Sequence, residues 1–285
     1  ERVAVVAVQL QDARVVRSLL GRMTVEQINM RDKHGTTALH FACSVRRPKN
    51  DDVLELLLRQ PGLVTHVANQ DRNTPLHYFA RQYVTTQCRR LGNMLLDNGG
   101  LPLLLHQNGQ RETALHMATL NDQVRVPMTK FLLRAVAKNG DAAVVRDFVN
   151  AETESGETAL HYAVHLLRDD IATILLNCGA DVHVRGGTRE RKTPLELART
   201  YAEQRTPGAE LLVARLDNVR QLHEWLGSLG LVEYVPVFVA NDIKRQDVVD
   251  LSADALQDMG VTRQGHKIKL VRSIRRMQID AHGGG

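Results

Sequence analysis

Residues 37–43 read TALHFAC, and the same element returns as TPLHYFA at 74–80, TALHMAT at 113–119, TALHYAV at 158–164 and TPLELAR at 193–199. Successive threonines stand 37, 39, 45 and 35 residues apart, so a unit of about 33 residues recurs with insertions. After a polar stretch, each of the first four is followed by a second apolar segment: DVLELLLRQPG (52–62), LGNMLLDNGG (91–100), MTKFLLRAVAKNG (128–140) and IATILLNCGAD (171–181). A short helix with Leu and Ala on one face, joined to a Leu-rich helix that stops at glycine, cannot bury its apolar surface alone. Stacked copies make one continuous core. Gly62, Gly99 and Gly179 are predicted to take the left-handed positions that end the second helices.

From about residue 3 to 205 the chain resembles the ankyrin-repeat family. The resemblance rests on five matches in register and on a degenerate first unit whose DARVVRSLLGR (12–22) looks like a second helix. It predicts an all-α solenoid of five to six repeats, with units around 1–31, 32–68, 69–107, 108–152, 153–187 and 188–213. RRPKN (46–50) and a similar insertion in the unit at 74 lengthen the turns between helices, and KNGDAAVVRDFVN (138–150) predicts an extended or additional helix. Glu196 stands where the other units have histidine, as a terminal, capping repeat would allow.

His40, His77, His116 and His161 share one repeat position. The resemblance implies that the Thr and His of the motif hydrogen-bond the backbone of the turn. A general base would also need a positioned nucleophile and an orienting partner, and no such trio is visible. Cys43, in a small-residue slot of its helix, reads as packing rather than as a nucleophile.

The family pattern also implies a concave ligand face, made of the positions four, three and one before each motif Thr and seven and eight after it. That selects Lys33, His34, Thr36, Ser44 and Val45, then Gln70, Asp71, Asn73, Arg81 and Gln82, then Gly109, Gln110, Glu112, Leu120 and Asn121. The fourth unit adds Glu154, Ser155, Glu157, His165 and Leu166, and the fifth Arg189, Glu190, Lys192, Thr200 and Tyr201. A phosphate backbone favours a continuous cationic track, and these signs are mixed, so a protein or peptide partner is expected.

The repeat stops after Leu195, and YAEQRTPGAELLVARLDN (201–218) leads into another pattern, with a boundary predicted near 217. WLGSLGLVEYVPVF (225–238), DVVDLSADALQDMGV (247–261) and GHKIKLVRSI (265–274) resemble the sterile alpha motif (SAM) domain, which predicts five short helices over 217–280. Trp225, Leu231, Tyr234, Phe238, Leu251, Leu256, Met259, Leu270, Val271 and Ile274 form its expected core, and Ser252 an N-cap. Charge is segregated: five carboxylates lie between Asp242 and Asp258, and six cations without a carboxylate between Arg263 and Arg276. In SAM domains that polymerise, a mid-domain acidic surface meets the start of a neighbour's last helix. Carried over, Asp242, Asp247, Asp250 and Asp254 make one face, and Gly265, His266, Lys267, Lys269 and Arg272 the other. Two different patches make a heterologous contact, which permits an open filament.

With 43% apolar and 24% charged residues the chain is of globular composition, and a net charge of +5 over 285 residues is short of a dedicated basic domain. Three cysteines with no CxxC or Cys/His spacing predict neither disulfides nor zinc, and point to a reducing compartment. No apolar run reaches the length of a membrane span, and membrane insertion is not expected. Neither GxGxxG opening a helix, GxxxxGK[ST], HExxH nor GxSxG is present. The expectation is a non-catalytic scaffold of the cytoplasm, or alternatively the nucleus, without cofactor or metal. It binds a protein or peptide on the repeats, and another SAM domain, its own or a partner's, on the SAM segment. The alternatives are the targeting portion of a larger enzyme and, third, RNA binding through the basic end of the SAM segment.

Overall fold

A computed structural model describes residues 12–44, 51–83, 87–97 and 99–282. They are helical throughout, the one extended pairing among them being an isolated antiparallel bridge between Gly186 and Lys192. The chain divides into two compact units, Glu1–Leu166 and Leu167–Gly285.

In the first unit, helix pairs repeat with the motif: Ala38–Ser44 with Asp51–Leu58, Pro75–Gln82 with Cys88–Leu96, and Ala114–Thr119 with Arg125–Asn139, followed by Ala159–His165. First helices stack on first helices and second on second. The reason is the position of the small and branched side chains. Ala38, Leu39 and Ala42 and, at the matching positions of the later units, Leu76, Phe79, Leu115, Ala118, Leu160 and Ala163 are buried, as are Leu54, Leu57, Leu91, Leu95 and Leu132 on the second helices. The degenerate first unit supplies the helix Ala13–Leu20, which packs on Asp51–Leu58 through a stripe ending in Val16 and Leu20.

Several local details depart from expectation. Gly62 and Gly179 are left-handed, at φ +76° and +87°, but between Gly99 and Gly100 it is the second that takes the positive φ of +52°. Gly99 has an ordinary negative φ and lies just before a short helix, Gly100–Leu105, whose Leu103 and Leu104 plug the core. The stretch around 138–150 supplies both alternatives at once: the second helix runs on to Asn139, and a further helix, Ala142–Val149, starts at the Asp141 N-cap. The insertion RRPKN lies outside the described residues.

The second unit starts with Asp169–Asn177 and continues with Pro194–Glu203, which packs along Ala209–Ser228. That last helix crosses the position where the sequence suggests a boundary without a break. Leu212, Leu216, Val219, Leu222 and Leu226 keep helical spacing through it, and all five are buried. The chain turns instead at Thr206–Gly208, where Gly208 takes φ +86°. A bidentate pair, Arg215 to Asp169 at 2.6 and 2.9 Å, ties this helix to Asp169–Asn177, which also packs on Val235–Ala240.

The SAM segment follows as the end of Ala209–Ser228, a 3-10 turn at Val232–Tyr234 that runs directly into Val235–Ala240, a second 3-10 turn at Arg245–Asp250, then Ala253–Asp258 and Gln264–His282, so that the short turn at 232–234 is added to the five helices expected. The first and last are long, 20 and 19 residues. Trp225 is buried edge-on against Phe238 and donates its indole N–H to Ser273 at 2.9 Å. Leu231, Tyr234, Leu256, Leu270 and Ile274 are buried as expected, joined by Val248 and Val261, whereas Leu251, Met259 and Val271 are half-exposed. Ser252 caps its helix by accepting from the Ala255 amide at 3.1 Å.

One contact in the first unit is close enough to test the packing. A Cβ added at Gly92 would run into the ring of Phe131, a residue only 5% exposed. Gly92→Ala is therefore expected to destabilise the full chain by about 1–3 kcal/mol. Adding Phe131→Leu is expected to recover most of that loss, as read in a double-mutant cycle of thermal melts.

Candidate protein-interaction surfaces

Each turn tip of the first unit is built by one device. The residue five before the motif Thr caps its own turn: Asp32 accepts from the amides of His34 and Thr36, both at 2.8 Å, Asn69 from Asn73, Asn108 from Gln110 and Glu112, and Thr153 from Glu157. The residue two before the Thr is left-handed in every case, as Gly35, Arg72, Arg111 or Gly156. Neighbouring tips are sewn together by single backbone bonds, Gln70 N–H to His34 O, Gly109 N–H to Asp71 O and Glu154 N–H to Gln110 O, at 2.8 to 2.9 Å.

Beneath each tip the motif histidine does two jobs. In His40, Nδ1 accepts the Thr37 amide at 3.1 Å and lies 2.9 Å from the Thr37 hydroxyl. With Nδ1 an acceptor, the proton sits on Nε2, which donates to the Asn73 carbonyl of the next repeat at 3.1 Å. His77 reaches Glu112 O at 3.1 Å in the same way, and His116 reaches Glu157 O at 3.3 Å. Burial lowers the pKa of all three imidazoles from 6.5 to about 4, keeping them neutral. His161 makes the same bond to the Thr158 amide. In the second unit Glu196 takes the histidine's place. It accepts from the Thr193 amide at 2.9 Å and from Arg185 at 2.7 Å, and these bonds hold its carboxyl below the usual range. A carboxylate has no proton to pass on, which suits an end position.

Most residues expected on the repeat face of the first unit are at its surface. Lys33, His34, Gln70, Asp71, Arg81, Gly109, Gln110, Glu154, His165 and Leu166 are exposed, and Thr36, Ser44, Asn73, Gln82, Leu120 and Ser155 half-exposed. Val45 lies outside the described residues. Asn121 departs from the expectation: it is 1% exposed, and its amide donates to the carbonyls of Ala80 and Tyr83 while its oxygen accepts from Gln123 and Val124. It ties helices together and presents nothing to a ligand. Glu112 and Glu157 are half-buried and already engaged. Glu112 accepts from the Tyr162 hydroxyl and Asn108, and Glu157 from Ser155, with His165 at 2.8 Å from its second oxygen.

The first two tips enclose a groove of about 300 Å3. His34, Thr36, Ser44, Gln70 and Asp71 line it, together with Asp32, Phe41, Asn69 and Tyr78. The lining thus combines two aromatic rings with two carboxylates. Burial, with Asp71 and Asp32 nearby, pushes the Tyr78 phenol up. Phe41 and Tyr78 share the position four after the motif Thr, and the residues five before it are Asp, Asn, Asn and Thr in turn. Both regularities stand in the sequence and would have identified these lining residues.

In the second unit, Arg189 and Glu190 are exposed, while Lys192, Thr200 and Tyr201 are half-exposed, Lys192 bonding Thr200 at 3.1 Å. On the SAM segment, Asp242, Asp247, Asp250 and Asp254 are all exposed. Arg245, within that run, folds inward over the Trp225 ring at 5.5 Å and contacts Met277, which removes it from the acidic surface. On the basic side Gly265, Lys269 and Arg272 are exposed. Lys267 and His266 are half-exposed, Lys267 bonding Gln257 at 2.6 Å and His266 bonding the Tyr234 hydroxyl at 3.0 Å.

Cys43 and Cys88 are buried and Cys178 half-buried, and burial pushes all three thiols up, away from nucleophilic use. Among the described residues no three His, Cys, Asp or Glu are grouped as metal ligands, and no helix is long and apolar enough to cross a membrane.

The family model for ankyrin repeats matches residues 4–101, 93–186 and 132–220, and that for the SAM domain (sterile alpha motif) matches 216–278. Among curated relatives, a probable serine/threonine-protein kinase of Dictyostelium discoideum is 34% identical over 248 residues, 87% of this chain and 26% of that protein. The stress-activated protein kinase alpha of the same organism is 34% identical over 223 residues, 78% of this chain and 32% of that protein. The chain thus spans about a quarter to a third of the length of these relatives. A solved ankyrin repeat protein superposes with a TM-score of 0.54 at 19% identity, covering 74% of this chain and 96% of that one.

The buried histidines give the stack an acid limit. Unfolded imidazoles take up protons near 6.5, whereas His40, His77 and His116 resist until about 4. Between those values the unfolded chain binds more protons, so stability present above pH 6.5 is lost as pH falls toward 4, by about 3 kcal/mol for each imidazole. Carboxylates held low, such as Glu157 and Glu196, act only below their ordinary 4.5. Melting curves of the full chain are expected to fall steeply between pH 6.5 and 4.5; a constant midpoint there would contradict the neutral, buried assignment.

Proposed function

The chain belongs to the ankyrin-repeat family and carries a SAM domain, and from that premise we propose that it is a non-catalytic scaffold, with repeats over 1–205 and the SAM domain over 217–280. The repeats capture a protein or peptide, and the SAM domain joins copies of the chain, raising the effective concentration of whatever the repeats hold. The observation that carries the first half is the groove between the first two tips. A lining that combines Phe41 and Tyr78 with the carboxylates of Asp32 and Asp71 suits a peptide with an apolar side chain beside a basic one. Support for the second half comes from the exposure of Asp242, Asp247, Asp250 and Asp254, with Arg245 folded away, and of a separate cationic patch at Lys269 and Arg272. Two unlike patches on one body assemble head to tail.

The same reading extends to a larger protein. The relatives are named as kinases and are three to four times the length of the matched portion. In that setting the 285 residues position a kinase domain, which lies outside them, by the same two surfaces. Sequencing the complete reading frame decides between a free-standing scaffold and the targeting part of a kinase.

Because the helix Ala209–Ser228 is shared between the last repeat and the SAM segment, assembly is best measured on the full chain. Sedimentation is expected to show concentration-dependent growth. Lys267→Glu and Asp247→Lys are each expected to stop it, and the two variants mixed to form a complex of two chains through their intact faces. A wild-type chain that stays monomeric at high concentration would exclude self-assembly and leave pairing with another SAM domain. Binding of RNA that is lost on Lys267→Glu while self-association persists would assign the basic patch to nucleic acid instead.

A further inference from the structure

The tip of the fifth repeat is built unlike the four before it. In those, an amide five residues before the motif Thr bonds the carbonyl one before it, Asp32 to Thr36, Asn69 to Asn73, Asn108 to Glu112 and Thr153 to Glu157, all at 2.9 Å, leaving a three-residue tip. In the fifth, Gly186 and Lys192 close the turn through two bonds of 3.0 Å, so five residues project, Gly187 to Arg191. Gly186 has no side chain with which to cap the turn. Gly187 takes φ +111°, and a Cβ there would meet the Glu190 carbonyl at 3.0 Å, so the longer tip requires it.

This tip holds Thr188 out to solvent. Its hydroxyl has no hydrogen-bond partner among the described residues, and both Thr188 and Arg189 are exposed. The motif threonines Thr37, Thr74, Thr113 and Thr158 are, by contrast, buried. Of all the serines and threonines in the chain, Thr188 alone has an arginine three residues before it, Arg185, and Arg189 and Arg191 follow.

We infer that Thr188 is a phosphorylation site for a basophilic serine/threonine kinase acting in trans, one whose peptide cleft offers carboxylates to an arginine at that spacing. The Thr188 Oγ1 attacks the γ-phosphorus of Mg-ATP. The Oγ1–P bond forms, the bond from that phosphorus to the bridging oxygen breaks, ADP leaves, and the hydroxyl proton passes to the kinase's catalytic aspartate. Such clefts take their substrates extended, and Gly186 and Gly187 leave the approach to Thr188 without side chains. Arg185 now bonds the Arg191 carbonyl at 2.8 Å and Glu196 at 2.7 Å. The ion pair is a surface one, with Arg185 55% exposed, so it holds the guanidinium only weakly against a kinase's carboxylates.

The phosphate would stand among Arg185, Arg189, Arg191 and Lys192, with Glu190 the one carboxylate within the tip and Glu196 paired to Arg185 below it. It takes the tip from a net +3 to about +1 and offers its oxygens to the free Arg189 guanidinium. Arg189, Glu190 and Lys192 belong to the proposed ligand face, so the regulatory consequence rests on that reading, while the site itself does not.

The test is to incubate the full chain with Mg-ATP and the catalytic domain of a kinase selective for arginine three residues before its target. The product is read by intact mass and peptide mapping, without any ligand of the repeats. One phosphoryl group at Thr188 is expected, retained as phosphoserine in Thr188→Ser and absent from Thr188→Ala. Arg185→Ala is expected to lower the initial rate about tenfold or more, the worth of one charge-assisted contact. A matched thermal melt of that variant separates lost recognition from lost folding. Phosphate elsewhere with Thr188 unmodified, or a rate indifferent to Arg185→Ala in a folded variant, would overturn the assignment.

Discussion

A buried imidazole that accepts from its own threonine and donates to the next repeat's turn is the interaction on which the first unit depends. The bond from Nδ1 fixes how the tip enters its helix, and the bond from Nε2 fixes where the following tip stands. Repeated at His77 and His116, it converts a series of short helices, none able to fold alone, into a register of tips. Both bonds need one neutral tautomer. Burial enforces it, because a charged imidazole would lose solvation and its Nδ1 would turn from acceptor to donor against a backbone N–H. The groove between Asp32, Asp71, Phe41 and Tyr78 is a product of that spacing, and so is the row of exposed residues at the tips.

The second unit solves a different problem. There the register ends with Glu196, and packing passes to the helix Ala209–Ser228, whose one apolar stripe serves both Pro194–Glu203 and the SAM core. Its N-terminal half belongs to a repeat and its C-terminal half carries Trp225. Arg245 stacks on that tryptophan, so a cation that looks in sequence like part of the charged surface is taken out of it, and the acidic run is left less compensated than its composition suggests.

The fold was legible because the motif repeats: one TALH can be chance, whereas three of them with TPLH and TPLE in the same register constrain helix, turn and core together. The SAM core was legible for a related reason, since aromatic and aliphatic residues at helical spacing have few other uses. What sequence reasoning missed depended on three-dimensional neighbours or on a choice between equivalents. Gly99 and Gly100 are adjacent and either could end a helix. Asn121 falls at a position that is usually on the surface, and here the carbonyls of Ala80 and Tyr83 draw it inside. The continuity of Ala209–Ser228 was hidden behind a Thr-Pro-Gly turn that does end the preceding helix without separating two bodies. The capping residues five before each motif Thr were visible as Asp, Asn, Asn and Thr, but their meaning needed the hydrogen bonds of the tips.

The most direct test of the account reads the imidazoles themselves. Nitrogen-15 NMR of the full chain, labelled at histidine, reports tautomer and protonation of each ring. His40, His77 and His116 are predicted to hold the proton on Nε2 alone and to stay neutral at pH 6, titrating only near 4. Rings that titrate near the ordinary 6.5, or that carry the proton on Nδ1, would contradict the inter-repeat relay and with it the origin assigned to the register of the tips.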